Sequence, residues 1–383
     1  MRDLAVVGLG ALGVHVAAEA AARGLSTAGF EAFGPAHERG ATGGSTRIFR
    51  LVYTFGGDYL PALLRAADAW AALERRHPGS VRHGHGALTI GDPADPEIAA
   101  AVESARAHGI GHEVLDSAAL AVRWPQHRLL DGDIAVADPA GALLLPRSIT
   151  AVVAREATAA GARLRYDDPV TRIDPVPGGH EVVTASGHRI RATRVLVSAG
   201  AWTARFAPEY AAAVELRRVV LQWYATPDPA AYGPDRFPVG VRRSAGGIRY
   251  SFFPQTDSRG VKVNFHVPKL TVPDADAPVN PVPDHYAGPH EATLRATLPA
   301  LGARTHSAAY VESYTPDYRI LLDRIAGREN AWLLAGGSGQ AFKLAPALAE
   351  HAVARILGEQ PPLDLHGVVR GLAAAPTEAV AGP

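Results

Sequence analysis

The sequence of 383 residues predicts a mixed α/β (α+β) fold, in which one part alternates strands with helices and a second part is β-rich. Three observations lead to this prediction. The chain opens with a short apolar strand, a glycine-rich turn and an alanine-rich helix, and a second glycine-rich junction between a buried strand and a helix lies at residues 336–343. From about residue 216 to 311, short apolar stretches alternate with turn residues, as is typical of β-strands.

The opening segment carries GLGALG at residues 8–13, directly after the first strand, which is the context of a Rossmann-type dinucleotide-binding turn. Gly8 permits the tight turn, Gly10 lets a pyrophosphate approach the backbone, and Gly13 lets helix and strand pack closely. The amino terminus of the helix supplies N–H donors and a partial positive charge. Glu31, eighteen positions after Gly13, is placed to bind ribose hydroxyls. A glycine-rich turn without a ligand is the alternative.

Composition excludes several classes of function. The formal net charge is zero, so no global field favours nucleic acid or an anionic membrane. The chain has no cysteine, which excludes disulfides, thiolate zinc sites, a catalytic thiol and a flavin linked through cysteine. No long uncharged apolar stretch is present, and the first strand begins by residue 4. We therefore expect a soluble cytoplasmic protein without a metal site, a cleaved leader or a membrane span.

In the first half of the chain, a small-residue segment at 40–47 precedes Arg50. Arg47 and Arg50 either contact an anion or are solvated in a surface loop, and the pattern leaves both interpretations open. The periodicity predicts helices at 59–76 and 96–108, strands at 86–91, 134–137 and 141–144, and a third helix at 146–161.

In the second half, we predict strands at 162–166 and 170–173, a hairpin of 180–185 with 188–192, and a separate buried strand at 194–202. Further strands are predicted near 218–225, 247–253, 261–266 and 330–335, followed by a helix at 344–357. Alternation on the strand at 261–266 places Lys262, Asn264 and His266 on one face, which on pattern alone is most often the solvent face.

Two glycine-rich junctions far apart in sequence can serve one ligand only if the domains are discontinuous. We predict a cofactor domain of residues 1–80, 146–215 and 320–365, and a substrate domain of residues 81–145 and 216–319. Residues 366–383 are predicted to form a flexible tail, since they are rich in alanine, proline and glycine.

Taken together, these motifs resemble flavin-dependent amine oxidases of the monomeric sarcosine oxidase type, within the D-amino-acid oxidase and glycine oxidase group. The resemblance covers the chain from Leu4 to about Leu365, and its order and spacing are more specific than any single motif. Besides GLGALG, the segments that carry it are EAF at 31–33, STRIFR at 45–50, DYLP at 58–61, RWP at 123–125, SAGAW at 198–202, RYSFFP at 249–254, GVKVNFH at 260–266, SYTP at 313–316 and GGSGQAFK at 336–343.

The resemblance implies a Rossmann-type FAD-binding domain with a discontinuous, β-rich substrate domain, and it assigns roles by position. Arg50 and Lys343 would clamp a substrate carboxylate, while Tyr250, His266 and Tyr314 would line the substrate cavity. Lys262 would lie beside the flavin and activate O2. FAD contacts are implied for Gly8, Gly10, Ala11, Leu12, Gly13, Glu31, Ala32, Gly44, Ser45, Thr46, Arg47, Val170, Ala199, Gly200, Trp202, Gly336, Gly337, Ser338, Gly339, Gln340 and Lys343.

The chain departs from the family pattern at three places. Members of this type often hold FAD through a cysteine just before the Tyr-Thr pair, but here the segment is Val311–Thr315, so we expect non-covalent FAD. The family histidine before the Phe-Lys pair is replaced by Gln340 and Ala341, and the methionine near the substrate is replaced by a valine around Val241. The substrate is therefore not expected to be sarcosine itself.

The implied reaction is oxidation of an amino acid or N-substituted amino acid, such as an N-alkyl glycine, at a CH–NH or CH–NH2 donor. A hydride passes to flavin N5, the imine hydrolyses to an amine plus an aldehyde or oxo acid (glyoxylate from an N-carboxymethyl group), and O2 reoxidises the flavin to give H2O2. The partners implied are a small-molecule substrate and O2, and we expect a monomer or weak homodimer.

Two other functions remain as alternatives: an NAD-dependent dehydrogenase, which shares the opening motif, and a flavin-binding sensor without turnover. A further hypothesis concerns Arg242, Arg243 and Arg249, which flank the predicted active-site strand. One or more of them binds a second acidic group of the substrate or, as is more common for arginine, they lie on the surface.

Overall fold

The structure, a computed structural model, describes residues 1–84, 86–266, 270–286 and 288–372. Its helices are α1 (Ala11–Ala22), α2 (Leu60–Arg76), α3 (Pro96–Ala107), α4 (Ser117–Arg123), α5 (Pro146–Ala159), α6 (Gly288–Thr297) and α7 (Ala341–Leu357). Its strands are β1 (Arg2–Val7), β2 (Thr27–Phe30), β3 (Arg47–Phe49), β4 (Arg82–His83), β5 (Ala87–Gly91), β6 (Glu113–Leu115), β7 (Ile134–Asp138), β8 (Ala142–Leu144), β9 (Arg163–Arg165), β10 (Val170–Val176), β11 (Gly179–Thr184), β12 (Arg189–Val197), β13 (Glu215–Tyr224), β14 (Val239–Ser244), β15 (Ile248–Phe253), β16 (Val261–Phe265), β17 (Arg304–Tyr314), β18 (Ile320–Arg324), β19 (Ala331–Ala335) and β20 (Val369–Arg370).

The first sheet has nine strands, and its central path runs β20-β18-β19-β12-β1-β2-β9, with β11 and β10 attached beside β12. Strands β19, β12, β1 and β2 are parallel, so their carboxyl ends meet at one edge. Alternate side chains of β1 bury Leu4 and Val6 against helices α1, α2, α5 and α7, while Ala5 and Val7 face a second apolar cluster. Burial on both faces explains why β1 is apolar throughout.

The second sheet has eight strands in the order β17-β13-β16-β15-β14-β5-β7-β6, and a small sheet joins β3, β8 and β4. One face of the eight-stranded sheet is covered by an apolar cluster that includes Leu88, Phe252 and Phe265. The opposite face carries Lys262 and His266 and lines a cavity. Strand β3 places Arg47 and, just beyond it, Arg50 between the two large sheets.

The mixed α/β fold predicted from the sequence is confirmed, and two of its elements need correction. Residues 189–197 form one strand, β12, which pairs antiparallel with β11 and parallel with β1 and β19, so the predicted break near residue 193 is wrong. Helix α7 begins at Ala341, three residues before the predicted start, which places Lys343 in its first turn. The strand predicted at 194–202 also ends earlier, at Val197, and strands β3, β4, β6, β14, β17, β18 and β20 were not individually predicted.

The domain boundaries proposed from the sequence remain a prediction. Part of the proposed tail, Val369–Arg370, forms edge strand β20 beside β18, and residues 373–383 lie outside the described residues. Within the described part of the chain, no helix has the length and apolarity needed to cross a membrane.

Candidate active site

The glycine turn after β1 has the geometry that its sequence predicts. Gly8 has φ +92°, and a Cβ there would lie 2.5 Å from the Ser198 carbonyl oxygen. A Cβ on Gly13 would lie 1.9 Å from the Gly8 carbonyl oxygen, so any side chain would force helix and strand apart. At Gly10 a Cβ would meet only Thr42 Oγ1, at 3.7 Å. Packing therefore requires Gly8 and Gly13 to be glycine, whereas Gly10 leaves the backbone open toward the adjoining cavity.

The amino terminus of α1 is open to an anion. Gly10 provides no side-chain cap, and the first turn contains no acidic residue. The first N–H groups of a helix lack intrahelical acceptors and carry partial positive charge. An anion bound at this point would accept hydrogen bonds from these N–H groups and would be stabilised by their partial positive charge.

Glu31 lies at the carboxyl end of β2, beside the opening turn. Its Oε2 accepts a hydrogen bond from the Leu9 N–H at 2.8 Å, and its Oε1 lies 3.3 Å from both the Phe33 amide nitrogen and His37 Nε2. These contacts hold the carboxylate at the cavity wall, where it can accept hydrogen bonds from hydroxyl groups of a ligand.

The second glycine turn joins β19 to α7. Gly336, Ser338 and Gly339 all have positive φ, at +75°, +48° and +74°. Ser338 is fully buried, and its hydroxyl lies 3.0 Å from the Thr315 amide nitrogen and 3.2 Å from the Gly336 carbonyl oxygen. Ser338 thus fixes the shape of the turn from inside the protein, while Gly337 and Gly339 face the cavity.

A cavity of about 430 Å³, here named the large cavity, connects the two glycine turns. Of the positions expected to contact a cofactor, those that line it are Gly8, Gly10, Ala11, Leu12, Glu31, Ala32, Arg47, Val170, Ala199, Gly200, Trp202, Gly336, Gly337 and Gly339. Thr46, Gln340 and Lys343 instead line a neighbouring cavity of about 150 Å³, here named the small cavity. Gly13, Gly44, Ser45 and Ser338 line neither cavity and support the loops around them.

The two cavities adjoin, because Ala41, Arg47, Glu312, Gly339 and Phe342 line both. Of the residues expected to handle the substrate or O2, those that line the small cavity are Arg50, Lys262, His266, Tyr314 and Lys343. The elements that supply them, β3, β16, β17 and α7, are distant in sequence and meet only in the folded chain.

Arg50 is buried and makes its hydrogen bonds to neutral hydroxyls. Its Nη1 donates to Thr89 Oγ1 at 2.9 Å and its Nη2 donates to Thr54 Oγ1 at 3.0 Å. Its guanidinium also lies 5.3 Å from the centre of the Tyr53 ring. Hydroxyl partners hold the guanidinium in place and leave its charge for an anion in the cavity.

Lys343 is likewise surrounded by neutral acceptors. Its Nζ lies 3.0 Å from Gln340 Oε1, 3.2 Å from Tyr53 Oη and 3.3 Å from the Gly339 carbonyl oxygen. Burial, followed by repulsion from Arg50, lowers the pKa of Lys343 to about 7. Two neighbouring cations held by neutral partners form a site for an anion.

Lys262 projects from β16 toward the loop that precedes β3. Its Nζ donates to the Gly44 and Thr46 carbonyl oxygens at 2.7 and 2.8 Å, and it lies 3.8 Å from the centre of the Phe253 ring. Burial, and then the charge of Arg47, lowers the pKa of Lys262 well below its usual value. The face of β16 interpreted from pattern alone as solvent-facing is in fact the cavity wall.

Glu312 occupies the junction of the two cavities and was not identified from the sequence. Its Oε1 accepts the Gly339 N–H at 2.8 Å, and its Oε2 lies 3.2 Å from Tyr314 Oη. Burial, followed by the Glu312 charge, raises the pKa of Tyr314 well above its usual value. The sequence could have indicated Glu312, because it lies two residues before Tyr314 and alternation places both side chains on one face of β17.

Tyr250 does not line the substrate cavity, and the role implied for it is corrected. In the register of β15 and β16, Tyr250 pairs with Phe265 and Ser251 pairs with Asn264. Alternation directs Ser251 and Phe253 to the cavity, while Tyr250 is fully buried on the other face, 2.7 Å from Thr297 Oγ1. Ser251 also lies 2.8 Å from His266 Nε2, so the cavity wall at this place is a serine–histidine pair.

The three arginines of β14 and β15 have three different environments. Arg242 is buried in the core, where its Nη1 pairs with Asp133 Oδ2 at 2.8 Å, so it cannot reach a substrate. Arg243 is buried and lines the small cavity. Arg249 is partly exposed and pairs with Asp95 at 3.2 Å. The surface interpretation is therefore wrong for Arg242 and Arg243.

Comparison with known proteins adds an independent finding. Residues 3–355 match the family model described as FAD dependent oxidoreductase (DAO). An N-methyl-L-tryptophan oxidase of Salmonella arizonae is 31% identical over 366 residues, which cover 95% of this chain and 96% of that protein. A monomeric sarcosine oxidase of Streptomyces avermitilis is 28% identical over 353 residues, or 91% of each chain.

Solved structures show the same fold. The amino acid oxidase NikD, essential for nikkomycin biosynthesis, aligns with a TM-score of 0.82 at 22% identity and covers 98% of this chain and 99% of its own. Glycine oxidase from Geobacillus kaustophilus aligns with a TM-score of 0.74 at 17% identity, over 96% of this chain and 98% of its own.

Proposed function

The chain belongs to the family of FAD dependent oxidoreductases, and we propose that it is an oxidase of N-substituted amino acids that binds FAD in the large cavity. Family membership confirms the resemblance and the FAD dependence predicted from the motifs. The observation that carries the proposed substrate class is the pair of buried cations, Arg50 and Lys343, in a small cavity that adjoins the large one.

The chemistry of the large cavity fits FAD. The open amino terminus of α1 and the free approach at Gly10 suit the pyrophosphate, and Glu31 suits the adenosine ribose. Gly337 and Gly339, at the far end, present backbone rather than side chains to a flat ring system. Val170 and Trp202 add apolar surface between these ends.

Arg50 and Lys343 would bind the substrate carboxylate. A guanidinium fork and a point cation together give charge-assisted hydrogen bonds with directional specificity. Fixing the carboxylate fixes the position of the adjoining carbon–nitrogen unit, which we place toward Gly339 and Glu312, two residues that line both cavities. This positioning replaces a bimolecular encounter by a pre-oriented one.

When bound, FAD would accept a hydride equivalent from the substrate and pass two electrons to O2, giving H2O2. The imine product would then hydrolyse to an amine plus an aldehyde or oxo acid. Lys262 supplies a buried positive charge on the same cavity wall, where it would stabilise negative charge that develops on O2. No side chain is assigned as an obligatory base, because a neutral substrate amine needs none.

FAD is proposed to be held without a covalent bond, since the chain contains no cysteine. Acid precipitation tests this point directly. We expect all the yellow colour in the supernatant, whereas flavin retained in the pellet would contradict it.

The proposed function is tested by the absorbance of the purified protein under anaerobic conditions. We expect flavin bands that bleach when N-methyl amino acids are added and return in air. A protein that cannot be loaded with FAD and binds NAD would support a dehydrogenase instead. A yellow protein that no N-alkyl amino acid bleaches would support a flavin-binding sensor.

A further inference from the structure

Arg243 is the one arginine of the β14–β15 trio whose side chain reaches the small cavity. Strand β14 pairs in parallel with β5, with Val241 opposite Thr89, and alternation directs Val241 and Arg243 to the cavity. Arg242, between them, points into the core. The position of each arginine along its strand, rather than its residue type, therefore decides that Arg243 reaches the small cavity.

The small cavity carries more positive charge than one substrate carboxylate needs. Among its described lining residues there is one carboxylate, that of Glu312, and there are five cationic side chains: Arg47, Arg50, Arg243, Lys262 and Lys343. Arg47 and Lys262 donate to backbone carbonyls of the loop before β3, and Arg50 and Lys343 form the carboxylate clamp. Arg243 is left without a role in that arrangement.

The hydrogen bonding of Arg243 is incomplete. Its Nη2 donates to Glu97 Oε1, and its Nε lies 3.7 Å from Asp95 Oδ1. That Nε has no hydrogen-bond acceptor within the described chain, and Glu97 Oε2 has no donor. A buried donor left without a partner costs about 1–3 kcal/mol, so Asp95 and Glu97 hold the Arg243 guanidinium without satisfying it fully.

Arg243 is also close enough to the carboxylate clamp for one small molecule to contact both. Arg50 donates to Thr89, which lies opposite Val241, and Arg243 follows two residues later on the same face, about 7 Å along the strand. Burial lowers the pKa of Arg50, and the charge of Arg243 lowers it further, as expected for cations that share one site. Because both side chains line the same small cavity, they suit a molecule with two acidic groups a few bonds apart.

We propose that Arg243 is a specificity-determining residue that binds a second acidic group of the substrate, so that N-alkyl amino dicarboxylates are the preferred substrate class. The inference rests on the proposed function for the first carboxylate. The second carboxylate pairs with the part of the Arg243 side chain that lines the small cavity, and it offsets the excess of cationic over acidic side chains in that lining. It lies either on the side chain, as in N-methylglutamate, or on the nitrogen substituent, as in N-carboxymethylglycine.

Matched substrates that differ by one charge test the proposal. We would compare N-methylglutamate with N-methylglutamine, and N-carboxymethylglycine with its monoamide, by anaerobic stopped-flow reduction. The expected result is a preference for the acid of about ten- to hundredfold in the ratio of the flavin-reduction rate constant to the substrate Kd, mainly through Kd, in at least one pair. In Arg243→Gln the preference should disappear, while Arg249→Gln, a half-exposed neighbour that also pairs with Asp95, should keep it.

A double variant and a binding assay complete the experiment. The double variant Arg243→Gln/Glu97→Gln removes both members of the buried pair and guards against misfolding of the single variant, and it should also lose the preference. Binding of glutarate and its monoamide, followed by perturbation of the flavin spectrum, needs no turnover. Equal binding of the two, or an acid preference that survives Arg243→Gln, would overturn the proposal. Reduction by N-methylalanine without any acid preference would overturn this inference and leave the proposed function standing.

Discussion

At Arg50 the decisive feature is the neutrality of its partners. Thr89 and Thr54 orient the guanidinium without neutralising it, so the charge remains available to a ligand. We expect Arg50→Gln to lower the second-order rate constant of flavin reduction by N-alkyl amino acids by about a hundredfold or more, because two charge-assisted hydrogen bonds are lost. Arg50→Lys should recover only part of the loss. Anaerobic flavin reduction measures both, and an unchanged Arg50→Gln rate would contradict the clamp.

We expect Lys343 to make carboxylate binding depend on pH. Because its pKa is lowered from 10.5 to about 7, its positive charge is present below pH 7 and is lost as the pH rises through 7. Binding of a carboxylate without an amine, such as propionate, should therefore weaken above pH 7, and Lys343→Met should remove that step. A pH-independent affinity in the unaltered protein would contradict this role.

The lowered pKa of Lys343 also affects the free energy of unfolding, which it raises with increasing pH, whereas it weakens carboxylate binding. Between pH 7 and about 10.5 the unfolded chain holds the Lys343 proton and the folded chain does not. Lys343 thus contributes a rise in the free energy of unfolding across this window, and Lys343→Met should flatten that rise. Chemical denaturation of the FAD-loaded protein at several pH values measures the effect.

Glu312 places a negative charge where the large cavity meets the small one. A carboxylate beside a flavin disfavours the added electrons, so Glu312→Gln should raise the midpoint potential by on the order of tens of millivolts. Glutamine keeps the acceptor for the Gly339 N–H. Dye-equilibration potentiometry measures the shift, with the exposed Glu113→Gln as the control, and equal potentials in all three proteins would place the charge too far from the ring.

At the scale of elements, different glycines of the strand–turn–helix unit β1–α1 serve packing and ligand binding. Gly13→Ala forces a Cβ onto the Gly8 carbonyl oxygen and should cost about 1–3 kcal/mol of stability. Gly10→Ala meets no close atom, so it should fold normally but retain FAD poorly. Gly111→Ala, in open space, is the matched control. Thermal melting and FAD titration should rank the variants differently, and parallel losses would contradict this division.

Elements whose geometry depends on their own residues could be predicted from the sequence, whereas elements that depend on contacts with distant residues could not. The glycine turns at 8–13 and 336–339 carry their geometry in their own residues, so they could be identified from sequence. Strand β14 was missed because two of its six residues are arginines, whose charges are buried against Asp133 and Glu97 from elsewhere in the chain. Tyr250 was misplaced because its face depends on the register of β15 with β16, which no local pattern specifies.

At the scale of the whole molecule, two large sheets meet around one pair of adjoining cavities. The parallel sheet brings the glycine turns together at the carboxyl ends of its strands, and the eight-stranded sheet supplies the cationic wall. The cofactor and the reaction type followed from motifs spread along most of the chain. The sequence offered Arg242, Arg243 and Arg249 together as candidates for a second acidic group, and only the faces that these strands turn toward the cavity single out Arg243 and add Glu312.

The central claim is that one chain performs two half-reactions at one flavin, with the substrate carboxylate held by Arg50 and Lys343 and O2 activated beside Lys262. The most direct test follows both half-reactions in the unaltered protein and in Lys262→Met. We predict that an N-alkyl amino acid reduces the flavin at similar rates in both, and that air reoxidises the unaltered protein with one H2O2 per FAD but reoxidises the variant at least about a hundredfold more slowly. Reoxidation at equal rates in the two proteins, or no reduction by any N-alkyl amino acid, would contradict the claim.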